Sequence, residues 1–299
     1  LRGAGLVNAT SVTAWREPLM RSVEAQLTDY VRQRDSEGGP LKDISRCLFI
    51  LGELAFVDEE AVSSSAVVAL QTIATSAAET NIVMRSHAIA ALGKLCLKRE
   101  SLAKRSVELF VLLLGEHEQF AVRNNSLVVL GDLCVHYTSL VDRFVPCMAD
   151  LLRDRNQLLR RQCAMVLASL LSENFIKFRG PLMYRFIYAL SDPAEDVRHL
   201  IECIFARILY RRDPGVCSQN FVDVMCALGG WAGHPSYQCA AGNERFSLCA
   251  SPARRTTVYR FMLSLMTREQ KFSVCSQLVT VFLAAFVEDE DRRALELPR

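Results

Sequence analysis

The chain lacks the sequence motifs of the common catalytic and metal-binding sites. It has no Cys-x-x-Cys pair, no His-Glu-x-x-His helix, no Gly-x-Ser-x-Gly elbow and no glycine-rich phosphate loop ending in Gly-Lys-Ser or Gly-Lys-Thr. Its five histidines are scattered over 299 residues. Because catalytic and metal sites gather polar side chains at defined spacings, the sequence predicts no enzyme, no cofactor and no metal.

Strand signals and membrane-spanning signals are also missing. No stretch alternates Val, Ile or Thr with polar residues over the length of a strand, and no Asn-Gly hairpin turn occurs. The longest apolar run near the end, Leu278 to Val287, is too short to cross a bilayer. We therefore expect an all-α chain that has no membrane partner.

The eleven cysteines are odd in number and scattered among apolar neighbours. This usage favours small buried hydrophobic residues in a reducing compartment over a disulfide framework. His234, Cys239 and Cys249 share one glycine-rich loop. Their spacing is irregular, so ordinary loop residues are a better interpretation than metal ligands.

What the chain does contain is a repeat. The segments IVMRSHAIAALGKL (82–95), AVRNNSLVVLGDL (121–133) and LLRRQCAMVLASL (158–170) are variants of one pattern. A small residue recurs at intervals of 37 to 41, and an arginine stands eight residues before each of the last four. The small residues are Gly52, Gly93, Gly131, Ala168 and Ala206, and the arginines are Arg85, Arg123, Arg160 and Arg198. This period lies close to the range of HEAT and armadillo repeats.

Each copy predicts two helices joined by a short turn. One helix pair cannot bury both of its apolar faces, whereas a row of stacked pairs buries them continuously. The acidic-then-arginine pattern in DPAEDVR (192–198) favours HEAT. We therefore predict an α-solenoid of HEAT-type helix pairs, with the small residue letting the neighbouring helix come close. The candidate caps of the second helices are Ser101, Thr138, and Gly180 with Pro181.

The predicted organisation has four parts: an N-terminal helix and linker (1–40), HEAT repeats (41–228), a loop insertion (229–256) and a C-terminal helix pair (257–299). The N-terminal helix should bury a stripe that includes Trp15, Val23 and Leu27. The first repeat is atypical because Ile44 stands where the others have arginine. We expect the chain to be part of a longer protein.

The basic residues admit two interpretations. Residues 81–212 hold 19 Lys and Arg against 13 Asp and Glu. HEAT repeats use an arginine to bind an aspartate of an adjacent turn, and this structural role is favoured for Arg85, Arg123, Arg160 and Arg198, with Asp154 and Asp192 as partners. The other candidates stand at turns and helix ends, where they could hold DNA phosphates: Lys98, Arg99, Lys104, Arg105, Arg153, Arg155, Arg161, Lys177, Arg179, Arg211 and Arg212. For the pairs 98–99, 104–105 and 211–212, plain solvation and nucleic-acid contact are equally supported.

A family resemblance rests on residues 121–200. RNN (123–125), LGDL (130–133), ENFIK (173–177) and RG (179–180) appear in the order found in the C-terminal HEAT block of the large non-SMC subunits of condensin. YRFMLSLMTREQKFSV (259–274) resembles the condensin II version more than the condensin I version.

The resemblance implies a non-catalytic scaffold subunit that acts in mitotic chromosome condensation. Such a subunit binds the kleisin subunit and the SMC ATPase heads, and it contacts double-stranded DNA or chromatin without sequence preference. Its expected location is the nucleus, on chromosomes. A HEAT adaptor that binds only protein partners, such as a transport receptor or a phosphatase scaffold, would share the architecture and remains an alternative.

Overall fold

The computed structural model describes residues 9–32, 41–57, 62–76, 82–230, 248 and 251–295. Within these ranges the chain forms helices joined by turns and contains no strand. The predicted all-α class is therefore confirmed. The predicted break at 35–40 and most of the predicted loop insertion, with His234, Cys239 and Cys249, lie outside the described residues.

Contacts divide the chain into two compact units, and the division falls between Met148 and Ala149. The four-part organisation predicted above stays a prediction. In unit 1 the helices are α1 (Ala9–Arg32), α2 (Leu41–Val57), α3 (Ser64–Thr75), α4 (Ile82–Lys98), α5 (Glu100–Leu112), α6 (Phe120–His136) and α7 (Thr138–Val141). The chain then forms a 3-10 turn (Asp142–Phe144) and enters α8 (Val145–Asp150).

Unit 2 continues from the end of α8 through a second 3-10 turn (Leu151–Arg153). Its helices are α9 (Gln157–Ser172), α10 (Pro181–Ala189), α11 (Glu195–Ile204), α12 (Tyr210–Arg212), α13 (Val216–Gly229), α14 (Pro252–Ser264) and α15 (Arg268–Leu295). A single π-helical turn (Phe205–Leu209) connects α11 to α12, so that the two form one continuous helical stretch. The final helix pair begins at Pro252, earlier than residue 257.

The first helices of successive repeats stack side by side in unit 1, where α2 packs on α4 and α4 packs on α6. A Cβ atom added at Gly52 would lie 3.2 Å from the Cα of Ala91, and one added at Gly93 would lie 2.5 Å from Cγ2 of Val129. Ala91 stands two residues before Gly93, and Val129 stands two residues before Gly131. In these two repeats the small residue thus meets the same position of the next repeat, as the predicted close approach requires.

The N-terminal helix α1 belongs to the packing of the first repeat, because it contacts both α2 and α3. Its buried stripe is Met20, Val23 and Leu27, whereas Trp15 is 52% exposed. Including Trp15 in the predicted stripe was therefore wrong. Burial of each such apolar side chain contributes about 1.5–3 kcal/mol, which makes α1 a stabilising cover for the first repeat.

Unit 2 stacks α9 on α11, and α13 packs against both α14 and α15. Aromatic rings fill the space between its helices. The ring of Phe178 meets Phe186 and Phe205 edge-on at centroid distances of 5.8 and 5.6 Å, and Phe205 meets Phe261 at 5.9 Å. Edge-to-face pairs of this kind add specificity to the apolar burial and fix the spacing of the helices.

Two of the predicted helix caps are wrong. The cap of α5 is Arg99, whose side chain makes no capping bond, and Ser101 lies inside the first turn. Thr138 lies inside α7, where its hydroxyl donates to the carbonyl of Cys134 at 2.8 Å. A hydroxyl can bind the preceding turn instead of capping the next helix, and spacing alone does not distinguish these choices. Gly180 does cap α10, with Pro181 following it.

Candidate nucleic-acid and partner interface

The turns of each repeat fall into two kinds. B–A turns precede the first helix of a repeat, and the structure describes those before α6, α9 and α11, whereas residues 77–81, before α4, lie outside the described residues. A–B turns join the first helix to the second, and they follow α4, α6, α9 and α12. The predicted site residues lie in or beside these turns, so each kind is described within its own unit.

Two buried arginines of unit 1 lie near the start of α4 and α6, beside the B–A turns. The guanidinium of Arg85 donates through Nη1 and Nη2 to the carboxylate of Glu118, at 2.9 Å each, and through Nε to the carbonyl of Ala74 at 3.1 Å. Nε of Arg123 donates to the carbonyl of Leu114 at 2.9 Å. Arg85 thus joins the end of α3, where Ala74 lies, to the turn before α6, where Glu118 lies. Glu118 stands 33 residues further along the chain than Arg85.

The corresponding turns of unit 2 show the same arrangement in its most complete form. Arg160 binds Asp192 through two parallel bonds, Nε to Oδ2 at 2.7 Å and Nη2 to Oδ1 at 2.8 Å. Its Nη1 donates to the carbonyl of Asp154 at 2.9 Å. Arg198 in turn donates to the carbonyl of Asp192 at 2.6 Å.

The two aspartates of the predicted ladder therefore act differently. Asp192 offers its carboxylate to Arg160 and its carbonyl to Arg198. Asp154 offers its carbonyl to Arg160, while its carboxylate accepts from the backbone N–H of Asn156 at 2.7 Å. A planar guanidinium that meets a carboxylate with two bonds is specific in geometry, and it fixes the register of one repeat on the next.

Sequence reasoning missed two acidic partners of buried arginines. The repeat alignment places His117 at the acidic position, whereas the partner of Arg85 is the next residue, Glu118. Arg185, whose side chain is 4% exposed, pairs with Asp150 at 2.5 Å. The sequence does contain a signal for the second pair: Arg185 stands within the apolar stretch LMYRFIYA (182–189). An arginine in such a stretch is expected to be buried, and a buried charge needs a partner.

Four of the candidate DNA contacts lie in or beside the A–B turn after α4. Lys98 is exposed and its Nζ lies 4.6 Å from the ring centre of Phe56. Lys104 pairs with Glu100 at 2.7 Å. Arg99 is half-buried and donates to the carbonyl of Val62 at 3.0 Å, and exposed Arg105 donates to the carbonyl of Ser101 at 3.3 Å. The four residues therefore sit in four different environments.

The A–B turns of unit 2 bring together a second group. Lys177 and Arg179 are exposed in the turn after α9, and Arg211 is exposed at the end of α12. Among the described residues none of these three forms an ion pair. Arg212 donates to the carbonyl of Leu171 and to Oδ1 of Asn174, so it ties the turn after α12 to the turn after α9. Four basic side chains thus share neighbouring turns.

The remaining candidates lie at the opposite end of α9, which is about 24 Å long at 1.5 Å per residue. Arg153 stacks on Tyr188, with its guanidinium carbon 5.4 Å from the ring centre. The carbonyl of Arg155 accepts from Arg160 at 3.3 Å, and its side chain is exposed. A hydrogen bond from Gln157, helped by nearby Arg161, lowers the pKa of the Asp196 carboxyl. In unit 2 the candidates therefore form two groups instead of one row.

The cysteine thiols and the possible metal-ligating side chains of the described residues do not cluster into a site. Burial raises the pKa of the Cys96 thiol to about 12 and that of Cys134 to about 11, so both stay neutral at physiological pH. No three His, Cys, Asp or Glu side chains within the described ranges are placed to hold a metal ion. In the same part of the chain, no helix has the length and apolar character needed to span a bilayer.

Comparison with protein families gives two matches. Residues 121–289 match the model of non-SMC mitotic condensation complex subunit 1, and residues 77–114 match the HEAT repeats of condensin-2 complex subunit D3-like proteins. The first match covers more than half of the chain. Among solved structures, a designed armadillo repeat protein aligns over 81% of this chain and 99% of its own, with 12% identity and a TM-score of 0.44.

Curated relatives carry matching names. Condensin-2 complex subunit D3 of Mus musculus is 30% identical over 303 residues, which cover 90% of this chain and 20% of that protein. Condensin-2 complex subunit D3-L of Xenopus laevis is 31% identical over 212 residues, 69% of this chain and 14% of that protein. Condensin-2 complex subunit CAP-D3 of Arabidopsis thaliana is 26% identical over 65% of this chain and 16% of its own length. The chain spans a fifth or less of each relative.

Stacked helix pairs joined through buried arginines define the class: an α-solenoid of HEAT-type repeats. The repeat pattern, the family model and the named relatives agree on one family within it. The chain belongs to the family of non-SMC mitotic condensation complex subunit 1, the large HEAT-repeat subunits of condensin, and within that family it resembles the condensin II type. The resemblance inferred from residues 121–200 and 259–274 is thereby confirmed.

Proposed function

We propose that the chain is a non-catalytic scaffold segment of a condensin complex that acts in mitotic chromosome condensation. In this role it docks the kleisin subunit and the SMC ATPase heads, and it contacts double-stranded DNA through phosphate groups. The setting is the nucleus, on chromosomes. Family membership supports the complex, and the surface chemistry of the A–B turns supports the DNA contact.

The observation that carries the DNA contact is the group of basic residues in unit 2. Lys177, Arg179 and Arg211 are exposed in A–B turns that Arg212 ties together, and none of the three is neutralised by a carboxylate among the described residues. Exposed, unpaired cations on neighbouring turns attract a polyanion without reading its sequence. Arg85 and Arg160 cannot do the same, because both are buried and each binds a carboxylate.

A charge-reversal experiment tests this contact. Binding of a 30-base-pair duplex is measured at 50, 100 and 200 mM salt for the native chain and for the triple variant Lys177→Glu, Arg179→Glu and Arg211→Glu. The matched control reverses three exposed basic residues on α14 and α15, Arg260→Glu, Arg268→Glu and Lys271→Glu. The first variant should lose most of its affinity at 50 mM salt, while the control keeps most of it. Equal losses would show only a general effect of net charge, and no binding at low salt would remove the DNA contact from the proposal.

The kleisin contact needs a separate experiment. Stacked repeats leave an extended surface, on which an extended chain segment can lie along several successive helices. Pull-downs with overlapping kleisin fragments should retain one fragment, and that fragment should still bind at 500 mM salt if apolar contacts dominate. Binding of kleisin without DNA would favour the adaptor that contacts only protein, and binding of neither would remove the condensin-type role for this segment.

A further inference from the structure

A cavity in unit 1 separates two of the candidate DNA contacts from the others. It has a volume of about 430 Å³ and lies between α3 and α5, with Arg99 and Arg105 on its wall. Lys98 and Lys104, their neighbours in sequence, do not line it. The structure therefore places these two arginines around a recessed space instead of along an open surface.

Among the described residues, the polar side of this cavity carries hydrogen-bond donors and no acid. Ser64, Gln71 and Ser101 join the two arginines on the wall. Arg99 uses Nη2 on the carbonyl of Val62 and Arg105 uses Nε on the carbonyl of Ser101. Neither guanidinium makes a further bond among the described residues, so within that part of the chain other N–H groups remain for a ligand. The nearby carboxylate of Glu100 is paired with Lys104 at 2.7 Å.

The other side of the cavity is apolar. Val67, Val68 and Leu102 complete the wall, and Val68 is 58% exposed although it lies in a helix of the repeat. A phosphate of duplex DNA brings a polar sugar and its neighbouring phosphates with it, and these gain nothing from an apolar wall. A single side chain that ends in an anion and has a carbon stem fits both sides.

The number of donors distinguishes between anions. A carboxylate presents two oxygens, whereas a phosphate monoester presents three and carries nearly two negative charges. Two fork-shaped guanidinium groups, two hydroxyls and an amide offer more donors than a carboxylate can accept. We infer that the cavity lined by Arg99 and Arg105 binds the phosphorylated serine or threonine side chain of a partner protein. This site does not depend on the DNA contact proposed above, which rests on residues of unit 2.

The test uses a fluorescein-labelled peptide in which phosphothreonine is flanked by two glycines on each side. Fluorescence anisotropy compares it with the same peptide carrying threonine or glutamate, at 150 mM salt. The native chain should bind the phosphorylated peptide at least about ten-fold more tightly than either other peptide, because the charge-assisted bonds are formed only by the phosphate.

Two pairs of variants place the binding in the cavity. Val68→Glu puts a carboxylate inside it and Val68→Gln puts a neutral group of the same size there, both at an exposed position where the fold should tolerate them. Arg105→Gln removes one guanidinium, and Arg143→Gln removes an exposed arginine of the same unit that pairs with Glu108 instead. Val68→Glu and Arg105→Gln should weaken binding at least about ten-fold, while their controls stay within about two-fold.

Several results would overturn the inference. Equal binding of the three peptides would show that the phosphate is not recognised, and equal effects of Val68→Glu and Val68→Gln would show that charge in the cavity does not matter. If Val68→Glu instead weakened binding of duplex DNA and left the phosphopeptide unaffected, the cavity would belong to the DNA surface. Because Lys177, Arg179 and Arg211 remain intact in these variants, failure here is distinguishable from failure of the DNA contact.

Discussion

The two kinds of turn use the same residue types for opposite purposes. At the B–A turns, Arg85 and Arg160 are buried and meet carboxylates 33 and 32 residues away. At the A–B turns, Lys177, Arg179 and Arg211 are exposed and form no ion pair among the described residues. For these five residues, burial and a carboxylate partner distinguish a structural basic side chain from one that is available for a ligand.

The physical reason is solvation. A guanidinium removed from water loses hydration that only a carboxylate with good geometry replaces, so a buried arginine at a repeat boundary selects its acidic partner. An exposed lysine or arginine keeps its hydration, and an ion pair there contributes about 0–1 kcal/mol. Nothing then obliges an exposed turn to carry neutralising acids, and the charge of Lys177, Arg179 and Arg211 is available to a partner.

The largest effect should come from breaking a B–A pair. Arg160→Ala leaves the carboxylate of Asp192, whose side chain is 4% exposed, without its guanidinium. We expect unfolding in urea to require about 3–5 kcal/mol less, the usual loss when one partner of a buried pair is removed. Arg161→Ala, one residue further along and exposed, is the control and should change stability by no more than about 0.5 kcal/mol. Similar losses in both variants would contradict the distinction between the turns.

A smaller loss of stability is expected when the contact between α4 and α6 is disturbed. Gly93→Ala gains helix propensity but places a Cβ 2.5 Å from Cγ2 of Val129, so a net loss of about 1–3 kcal/mol should appear in urea denaturation. Val129→Ala in the same chain should recover most of it. Gly229→Ala is the control, since nothing lies within 4 Å of its new Cβ. A loss that Val129→Ala does not relieve would place the strain elsewhere.

The third prediction concerns the exposed basic residues of the A–B turns. Replacing Lys177, Arg179 and Arg211 with Gln should change stability by no more than about 0.5 kcal/mol for each residue. The same variant should flatten the plot of log affinity for duplex DNA against log salt concentration by up to about 2.7, or about 0.9 for each phosphate that is no longer neutralised. An unchanged slope would mean that these side chains do not touch phosphates.

The smallest effect concerns an exposed histidine beside a B–A turn. A hydrogen bond to the carboxylate of Glu202 is the main cause that raises the pKa of His199 above 6.5, and a hydrogen bond to Glu195 is the second. The stability that these interactions give the folded chain is fully present below the unfolded-state pKa of His199, and it is lost as pH rises through the folded-state pKa. An NMR titration should find the imidazole pKa above 6.5 in the native chain and closer to 6.5 in Glu202→Gln. Identical titration curves for the two chains would show that the carboxylate has no such influence.

The sequence supported much of the fold because the repeat is local. Helical spacing and a period of 37 to 41 residues identified the helix pairs, and the recurrent glycine marked the close contact that Gly93 makes with Val129. The sequence was less informative about the helix caps and about the acidic partners of the buried arginines. Ser101 and Thr138 have the right residue type at the right spacing, yet neither caps a helix. Glu118 was missed because its partner Arg85 lies in another repeat.

The sequence by itself determined an all-α stack of HEAT-type pairs, the arginine near the start of four repeats and the condensin family, since these depend on residues close together in the chain. Only the tertiary structure decided that Arg160 meets Asp192, that Arg212 ties neighbouring A–B turns together and that Arg99 and Arg105 line one cavity. These contacts join residues of different elements. Their geometry follows from the register in which the repeats stack, and that register is set by packing over whole helices instead of by any local pattern.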